Sequence, residues 1–355
     1  MFKNCIKTCP VLLLVAMLGV TVAACQPRTA PRPTVMYAEV SPSPTIPSAT
    51  PRPTYTPTPA PLGHSLNPVV MGFIAADASD TQNQAASALA DYLGQTVNLQ
   101  VESQFFASYK DLESALKDSR VHLVWLGPIE TLITSQQALL DVTLVSNHLG
   151  VTAYGVQFLA NQESGFVAYF DAAQNAATAS LVTALAQFAG RRPCLTEESS
   201  LAAYWVPIGL LMQAGVTTQE PAITLSTSAS IRALYITGIC DFAATYALSG
   251  DPRTASAIIT DLPDIIERVP IIWRSEGIIP NLSLSFSANL DLPYQSQIQE
   301  ALLTYARTEE GLSVLTNAND YVIEALEITD GRLFDDLRSV LEIQEIDLYS
   351  LLENK

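Results

Sequence analysis

The sequence is poor in the residues that most often carry catalysis or bind metals. Its three histidines, His64, His122 and His148, are isolated, and no two of them have metal-ligand spacing. It contains no nucleophile elbow, Walker loop or dinucleotide-binding glycine pattern. His122 lies between Val121 and Leu123 in a predicted strand, which favours a structural residue over a catalytic base. We therefore expect no enzyme, no cofactor and no metal site.

Positive charge is also scarce. The 355 residues contain 18 Lys and Arg against 35 Asp and Glu, so the formal net charge is −17 at pH 7. This balance argues against nucleic acid or an anionic membrane surface as a partner. A small anionic ligand is still compatible with it, because surface charges are screened beyond about 8 Å at physiological salt, whereas helix N-termini act at contact range.

The N-terminal 62 residues differ from the rest of the chain. Lys3 and Lys7 precede the apolar run 11–22, which is typical of a signal peptide and short for a membrane span. Small residues lead directly to Cys25, as in a bacterial lipoprotein cleavage box. We predict a signal peptide over 1–24 and lipidation of Cys25, with an ordinary secretory signal or an uncleaved anchor as alternatives. Residues 27–62 hold 11 of the 22 prolines, which predicts an extended tether over 25–62.

Few cysteines remain for the folded body. Cys5 and Cys9 would leave with the signal peptide, and Cys25 is the predicted lipid site. Cys194 and Cys240 are left, and in an oxidising compartment such a pair favours a disulfide. The chain-entropy account gives it about 4 kcal/mol for a loop of this size. The alternative is two buried free thiols.

Apolar strands and amphipathic helices alternate through residues 63–355. Predicted strands cover 68–74, 96–101, 121–126, 142–146, 154–160, 222–225, 239–244, 271–273 and 282–286. Predicted helices cover 82–93, 108–117, 127–140, 180–188, 201–214, 228–236, 294–307 and 332–341. This rhythm predicts an α/β fold with two lobes, each a mostly parallel sheet flanked by helices.

The stretch 191–207 combines a strand end, a turn and a helix start. Its run 196–200, Thr-Glu-Glu-Ser-Ser, is rich in residues that cap helices. A helix that opens just after a strand presents unpaired backbone N–H groups, which suit an anion or a polar oxygen. The alternative is a capped core helix of the kind found in any α/β protein.

Four stretches, taken in order, resemble the phosphate/phosphite/phosphonate-binding family of ABC-importer solute-binding proteins. They are 91–99, 109–128, 191–207 and 238–244 with 279–281. The resemblance implies a type 2 periplasmic-binding-protein fold, a Venus flytrap that closes on solute and signals to a permease. It implies lobe 1 over 63–155 with a return over 271–325, lobe 2 over 156–270, and a C-terminal helical segment over 326–355.

The ligand residues of this family are only partly matched. Tyr109 matches its ligand-facing tyrosine, and Ser200 and Tyr204 match the ends of its Ser-Thr-Ser-Gly-Tyr run, but positions 201–203 are Leu, Ala and Ala. Its Ser-His pair is Ser228-Ala229 here, and its acidic pair is Thr245-Tyr246. Each lost hydrogen bond to an oxyanion costs roughly 1.5–3 kcal/mol, so phosphonate binding is expected to be weakened.

The predicted ligand contacts combine helix-start hydroxyls, aromatic cleft walls and one carboxylate. They are Tyr109, Trp125, Glu130, Tyr154, Ser199, Ser200, Tyr204, Thr227, Ser228 and Tyr246. Glu130 would favour a cationic or amine-bearing solute. The structural alternative is that Trp125 and Tyr204 belong to the core and that Ser228 only caps its helix.

We predict a lipid-anchored, extracytoplasmic, monomeric solute-binding protein that delivers a small molecule to an ABC permease. The alternative is a ligand-free or sensory derivative of the same fold, which presents a surface to a partner protein. The apolar residues at 201–203 motivate this alternative. A surface hydrolase is a third and weaker hypothesis.

Overall fold

The computed structural model describes residues 60–353. The predicted signal peptide 1–24, the lipidation site Cys25 and the tether up to residue 59 lie outside these residues. Within 60–353, no helix is both long enough and apolar enough to cross a bilayer.

The described residues alternate between strands and helices, as expected. The strands are β1 (Val69–Ile74), β2 (Val101–Phe106), β3 (Leu123–Leu126), β4 (Leu140–Asn147), β5 (Ala153–Ala160), β6 (Phe170–Asp171), β7 (Ala176–Ala177), β8 (Pro193–Leu195), β9 (Ala222–Ile223), β10 (Phe242–Ala247), β11 (Ile271–Arg274), β12 (Ile279–Pro280), β13 (Ser283–Ser287) and β14 (Ala325–Ile328).

The α-helices are α1 (Asp80–Val97), α2 (Tyr109–Lys117), α3 (Pro128–Gln136), α4 (Leu181–Leu185), α5 (Val206–Gln213), α6 (Thr227–Ile236), α7 (Ser256–Asp261), α8 (Ile265–Arg268), α9 (Leu292–Tyr305), α10 (Glu309–Asn319), α11 (Asp335–Glu342) and α12 (Ser350–Glu353). A π-helical turn over Leu201–Trp205 leads into α5, and short 3-10 turns cover Gln162–Ser164, Ala186–Phe188, Pro252–Thr254 and Gly331–Phe334.

Lobe 1 is built on a six-stranded sheet in the order β14-β4-β13-β3-β1-β2. The strands β2, β1 and β3 are parallel, whereas β13 runs antiparallel between β3 and β4. Helices α1, α9 and α10 pack together over a core that includes Phe73, Leu89 and Phe286. On α2, Leu112 packs with Leu126 in a separate cluster. Both faces of the sheet are thus covered, which is the expected α/β arrangement.

Lobe 2 is built on a sheet in the order β11-β5-β10-β8-β9, with β12 paired to the start of β5. β5 runs antiparallel to its neighbours, while β10, β8 and β9 are parallel. Both lobes therefore contain mixed sheets, in which antiparallel strands accompany the parallel ones. The predicted disulfide is present and joins Cys194 in β8 to Cys240 just before β10.

Two predicted boundaries are wrong in lobe 1. Helix α1 does not stop at Gly94 but continues to Val97. Its C-cap residue is Asn98, which has a left-handed φ of 54°. The predicted strand 96–101 therefore begins only at Val101. Gly94 is needed for close approach, since a Cβ there would lie 2.9 Å from the Leu99 carbonyl oxygen. The predicted helix 127–140 ends at Gln136, and Leu140 already belongs to β4.

The return of the chain to lobe 1 occurs later than predicted. We expect residues 271–325 to belong to lobe 1, but β11 and β12 both pair with β5 in lobe 2. Only β13, from Ser283, joins the lobe 1 sheet. The apolar residues of 271–273 predict a short strand but do not indicate which strand it pairs with, because pairing depends on contacts between residues distant in sequence.

The predicted C-terminal helical segment 326–355 begins later than expected, because β14 (Ala325–Ile328) still pairs with β4 in the lobe 1 sheet. The helical part that the structure describes, residues 331–353, we call the C-terminal segment, and it contacts both lobes. Its helix α11 packs on α5 of lobe 2, and α12 packs on α3 of lobe 1. The α11 contact is close, because a Cβ on Gly209 would lie 2.2 Å from the Val340 carbonyl oxygen. At the other end, the Tyr349 hydroxyl donates a hydrogen bond to Glu113, and the Gln137 amide donates to Glu113 at 2.7 Å.

Candidate functional site

A cavity of about 610 Å³ lies between the two lobes, and we call it the interlobe cavity. Its lining comes from both lobes and from the segments that cross between them. The lining residues are Gly127, Pro128, His148, Leu149, Tyr154, Ser199, Ser200, Leu201, Ala202, Tyr246, Ser249, Pro280, Asn281, Leu282 and Tyr321. Its size suits a small organic molecule.

The crossing segments form one wall of this cavity. The hairpin between β4 and β5 is closed by a bridge between His148 and Val151. Asn281, between β12 and β13, donates its side-chain amide to the Val151 carbonyl at 2.6 Å and its backbone N–H to the Thr152 carbonyl at 2.9 Å. The two crossings are therefore tied together by hydrogen bonds at the point where the chain passes between the lobes.

Two helix starts also face the interlobe cavity. Ser200 caps the π-helical turn, because its hydroxyl accepts from the Ala203 backbone N–H at 3.1 Å. Gly127 and Pro128 begin α3, and the N-cap residue Gly127 has no side chain with which to cap the helix. The positive ends of these helices point partial charge toward the cavity. Proline at the first helical position suits this start, because its missing N–H would have no partner inside the helix.

Three cavity tyrosines keep their protons at physiological pH. Burial raises the pKa of Tyr154 to about 12. Burial, with a smaller effect of Tyr154, raises the pKa of Tyr321, and burial followed by the charge of Asp251 raises that of Tyr246. These phenols are therefore neutral groups that can donate or accept hydrogen bonds. Among the described residues of the lining, none is Lys, Arg, Asp or Glu.

Four of the predicted ligand residues lie together in this lining: Tyr154, Ser199, Ser200 and Tyr246. They come from β5, the turn before the π-helical stretch, and β10. The stretch 191–207 thus places its serines at the cavity, with the strand, turn and helix start in the predicted order.

Three predicted residues of lobe 1 lie outside the lining. Tyr109 is 6% exposed and packs in the core, where its ring contacts that of Tyr349 at 6.0 Å between centroids. The C-terminal segment covers the position at which a ligand was expected. Trp125 and Glu130 are also buried, and they line a separate cavity of about 260 Å³ that shares Gly127 with the interlobe cavity.

Three predicted residues of lobe 2 also lie outside the lining. The Tyr204 hydroxyl donates to Glu198 at 3.2 Å, and the ring packs edge-on against Trp205. Thr227 and Ser228 lie in the first turn of α6 and are not among the lining residues. The cap of α6 is Ser226, whose hydroxyl accepts from the Ala229 N–H at 3.2 Å. The second helix start at the cavity is that of α3, rather than the expected start of α6.

Several lining residues had no sequence signal that pointed to a ligand. His148 and Leu149 belong to the hairpin, Tyr321 follows α10, and Asn281 lies in the second crossing. His148 donates a 2.8 Å hydrogen bond from Nδ1 to the Val322 carbonyl, and its ring centroid lies 4.6 Å from that of Tyr321. In the sequence, the Ile-Pro-Asn run at 279–281 is significant only as part of the family resemblance. Its role at the crossing follows from contacts 130 residues apart.

The chain is similar in sequence to one protein family and in fold to several solved structures. The family model described as ABC transporter, phosphonate, periplasmic substrate-binding protein matches residues 71–330. No curated protein sequence matches the chain. XAC2383 from Xanthomonas citri bound to chloride ion has a TM-score of 0.54 and 15% identity, covering 78% of this chain and 98% of that chain.

Two further structures extend the likeness of fold. XAC2383 bound to ATP has a TM-score of 0.53 and 15% identity, with 78% of this chain and 98% of that chain covered. Transferrin 1 from Manduca sexta has a TM-score of 0.51 and 10% identity, with coverage of 80% and 47%. At such identities the structures share the fold alone.

Proposed function

Because this chain belongs to the family of periplasmic substrate-binding proteins of phosphonate ABC transporters, we propose that it captures a small oxyanion-bearing solute and delivers it to a membrane permease. The observation that carries the proposal is the interlobe cavity, which both lobes and both crossings line. Capture would be non-covalent, and a change in lobe orientation would report it to the permease. Tyr154, Ser199, Ser200 and Tyr246 are the predicted residues that we propose as solute contacts.

The helix starts at Ser200 and Gly127 support binding of an oxyanion head group. Backbone N–H groups at a helix start donate to anionic oxygens without a full positive charge. The hydroxyls of Ser199, Tyr154 and Tyr246 add neutral partners.

A thermal-shift panel on the full chain tests this function. Phosphonates, phosphite, phosphate, sulfonates and amines are compared, because a ligand at 100 times its dissociation constant stabilises a protein by about 2.7 kcal/mol. Ser199→Glu, which places a carboxylate at the cavity, is expected to abolish the shift. Ser256→Glu, at the exposed first residue of α7, is the matched control and is expected to keep it. If no solute stabilises the protein, solute capture is refuted and the partner-presenting derivative is favoured.

We also propose that the mature protein is a lipoprotein held at the membrane by Cys25. The proposal is supported by the apolar run 11–22, the small residues before Cys25 and the proline-rich stretch that follows. Radiolabelled fatty acid should be incorporated into the wild-type chain and not into Cys25→Ser. A labelled Cys25→Ser chain, or an unlabelled wild-type chain, would contradict it.

A further inference from the structure

The lining of the interlobe cavity restricts the chemistry of the solute beyond the proposed function, on which this inference rests. We propose that the solute is an organic molecule with an aromatic or branched apolar body and at most one negative charge. Inorganic phosphate and small dianionic phosphonates would then be poor ligands.

The first reason is the electrostatic character of the cavity. The described lining has no cationic side chain to balance a dianion, and its phenols stay neutral. The charged groups next to the lining are carboxylates instead. Glu324 accepts a hydrogen bond from the Gly150 N–H of the hairpin at 2.9 Å, and, after burial, the negative charge of Asp251 helps to raise the pKa of Tyr246. Helix starts supply only about half a unit of positive charge each, so a single negative charge is better matched than two.

The second reason is that the side chains at the Ser200 helix start present little polar surface to the solute, so that only its backbone N–H groups are left for the oxyanion. The Ser200 hydroxyl already accepts from the Ala203 N–H, and the next two lining residues are Leu201 and Ala202. Their side chains cannot donate hydrogen bonds to an oxyanion. They instead offer an apolar wall, against which a hydrocarbon or ring surface would be removed from water.

The third reason is the exposed Leu149 at the tip of the hairpin. Its side chain is 53% exposed although it lines the cavity, and its φ is 52°. A leucine is disfavoured in this left-handed conformation, where Asn or Gly is usual. A large apolar side chain therefore lies at the cavity although its backbone conformation is unfavourable for a leucine. The rings of His148 and Tyr321, whose centroids lie 4.6 Å apart, line the same cavity and offer aromatic surface to a flat apolar group.

Four ligands separate the effect of the solute's charge from the effect of its apolar body: benzenesulfonate, methanesulfonate, methylphosphonate and inorganic phosphate. Titration calorimetry on the full chain at pH 7.5 is expected to give the tightest binding for benzenesulfonate, about tenfold or more over methanesulfonate. If methylphosphonate or phosphate binds as tightly as benzenesulfonate, this inference is overturned while solute capture stands. If none of the four binds and no solute of the thermal-shift panel stabilises the protein, both this inference and the proposed solute capture are refuted.

Leu149→Asn tests the apolar contact without straining the turn, because Asn readily adopts the left-handed conformation. It is expected to weaken benzenesulfonate about tenfold and to leave methanesulfonate within about twofold. Leu225→Asn, at a leucine that is 87% exposed outside the cavity, is the matched control and should bind like the wild type. Equal loss for both sulfonates, or no loss for either, would overturn the role of Leu149.

Discussion

A buried histidine acts as a structural acceptor in lobe 1. His122 is 6% exposed, and its Nδ1 accepts from the Val70 backbone N–H at 3.0 Å. Burial lowers the pKa of His122 below its usual range. The nitrogen can accept only while it is unprotonated, so this bond between β1 and the start of β3 belongs to the neutral form.

The free energy of unfolding is expected to fall as the pH drops below about 6.5. The unfolded histidine, with an ordinary pKa, takes up a proton before the folded one does, so acid favours the unfolded chain. Urea unfolding at pH 7.5, 6.5 and 5.5 measures how the free energy of unfolding changes with pH. His122→Asn, whose amide oxygen can accept from Val70, should be less sensitive over this range. An unchanged pH dependence in the variant would show that His122 is not its source.

At the scale of elements, the contact between α5 and α11 depends on the absence of a side chain. Gly209 lies under Val340, and a Cβ there would meet the Val340 carbonyl oxygen at 2.2 Å and its Cγ1 at 2.5 Å. Backbone atoms on both helices would have to separate. The neighbouring Gln344 amide, which donates to the Trp205 carbonyl at 3.0 Å, would be displaced with them.

Gly209→Ala is therefore expected to lower the free energy of unfolding by about 1–3 kcal/mol, in the range of overpacked sites. Gly331→Ala is the control, because nothing lies within 4 Å of a Cβ at Gly331. It should change the free energy by no more than about 0.5 kcal/mol. Denaturant unfolding followed by circular dichroism compares the two, and equal values would contradict the close packing.

Helices and strands are predicted well where residues close together in the sequence determine their ends. Helix α2 is predicted to its first turn because Ser108 accepts from the Asp111 N–H, a cap visible in the sequence. Helix α1 is predicted too short because a glycine such as Gly94 often ends a helix. In the structure the helix continues, and the missing side chain of Gly94 leaves room for the Leu99 carbonyl. Close approach of backbone depends on tertiary packing, which a single sequence does not display.

The residues of the candidate site are likewise predicted where the signals are local and missed where they depend on distant contacts. Ser199 and Ser200 follow from strand, turn and cap signals that are all local. Tyr109 was expected at the ligand because of the family resemblance, yet Tyr349, far along the chain, packs on it. No periodic pattern in α2 could indicate that a segment near the C-terminus covers that position.

At the scale of the whole molecule, the lobes are joined by more than their crossings. The C-terminal segment places Phe334, Leu337 and Leu351 in a cluster with residues of both lobes. Burial opposes ionisation of Glu113, but hydrogen bonds from Tyr349 and Gln137 and the bond and charge of Lys117 outweigh it and hold its pKa below the usual range. The carboxylate that anchors the segment to lobe 1 therefore stays charged at neutral pH.

Truncation after residue 343 is expected to loosen the two lobes. It removes Leu351, a leucine only 4% exposed, and the Tyr349 contacts, which together are worth about 2–4 kcal/mol. The radius of gyration of the ligand-free chain, measured by small-angle scattering, should increase. Tyr349→Phe should show a smaller effect, and Tyr235→Phe, which loses a similar bond to Asp264 within lobe 2, should show none. A truncated chain of unchanged radius would contradict the bridging role.

The bridge from α5 through α11 to Glu113 gives the protein a way to set its resting state without altering the cavity. If the ligand-free lobes exchange between two orientations, a contact worth 1.4 kcal/mol shifts their populations about tenfold. Apparent affinity falls in proportion to the fraction that can bind. Substitutions near Tyr349 could thus retune the uptake threshold while every residue that touches solute remains the same.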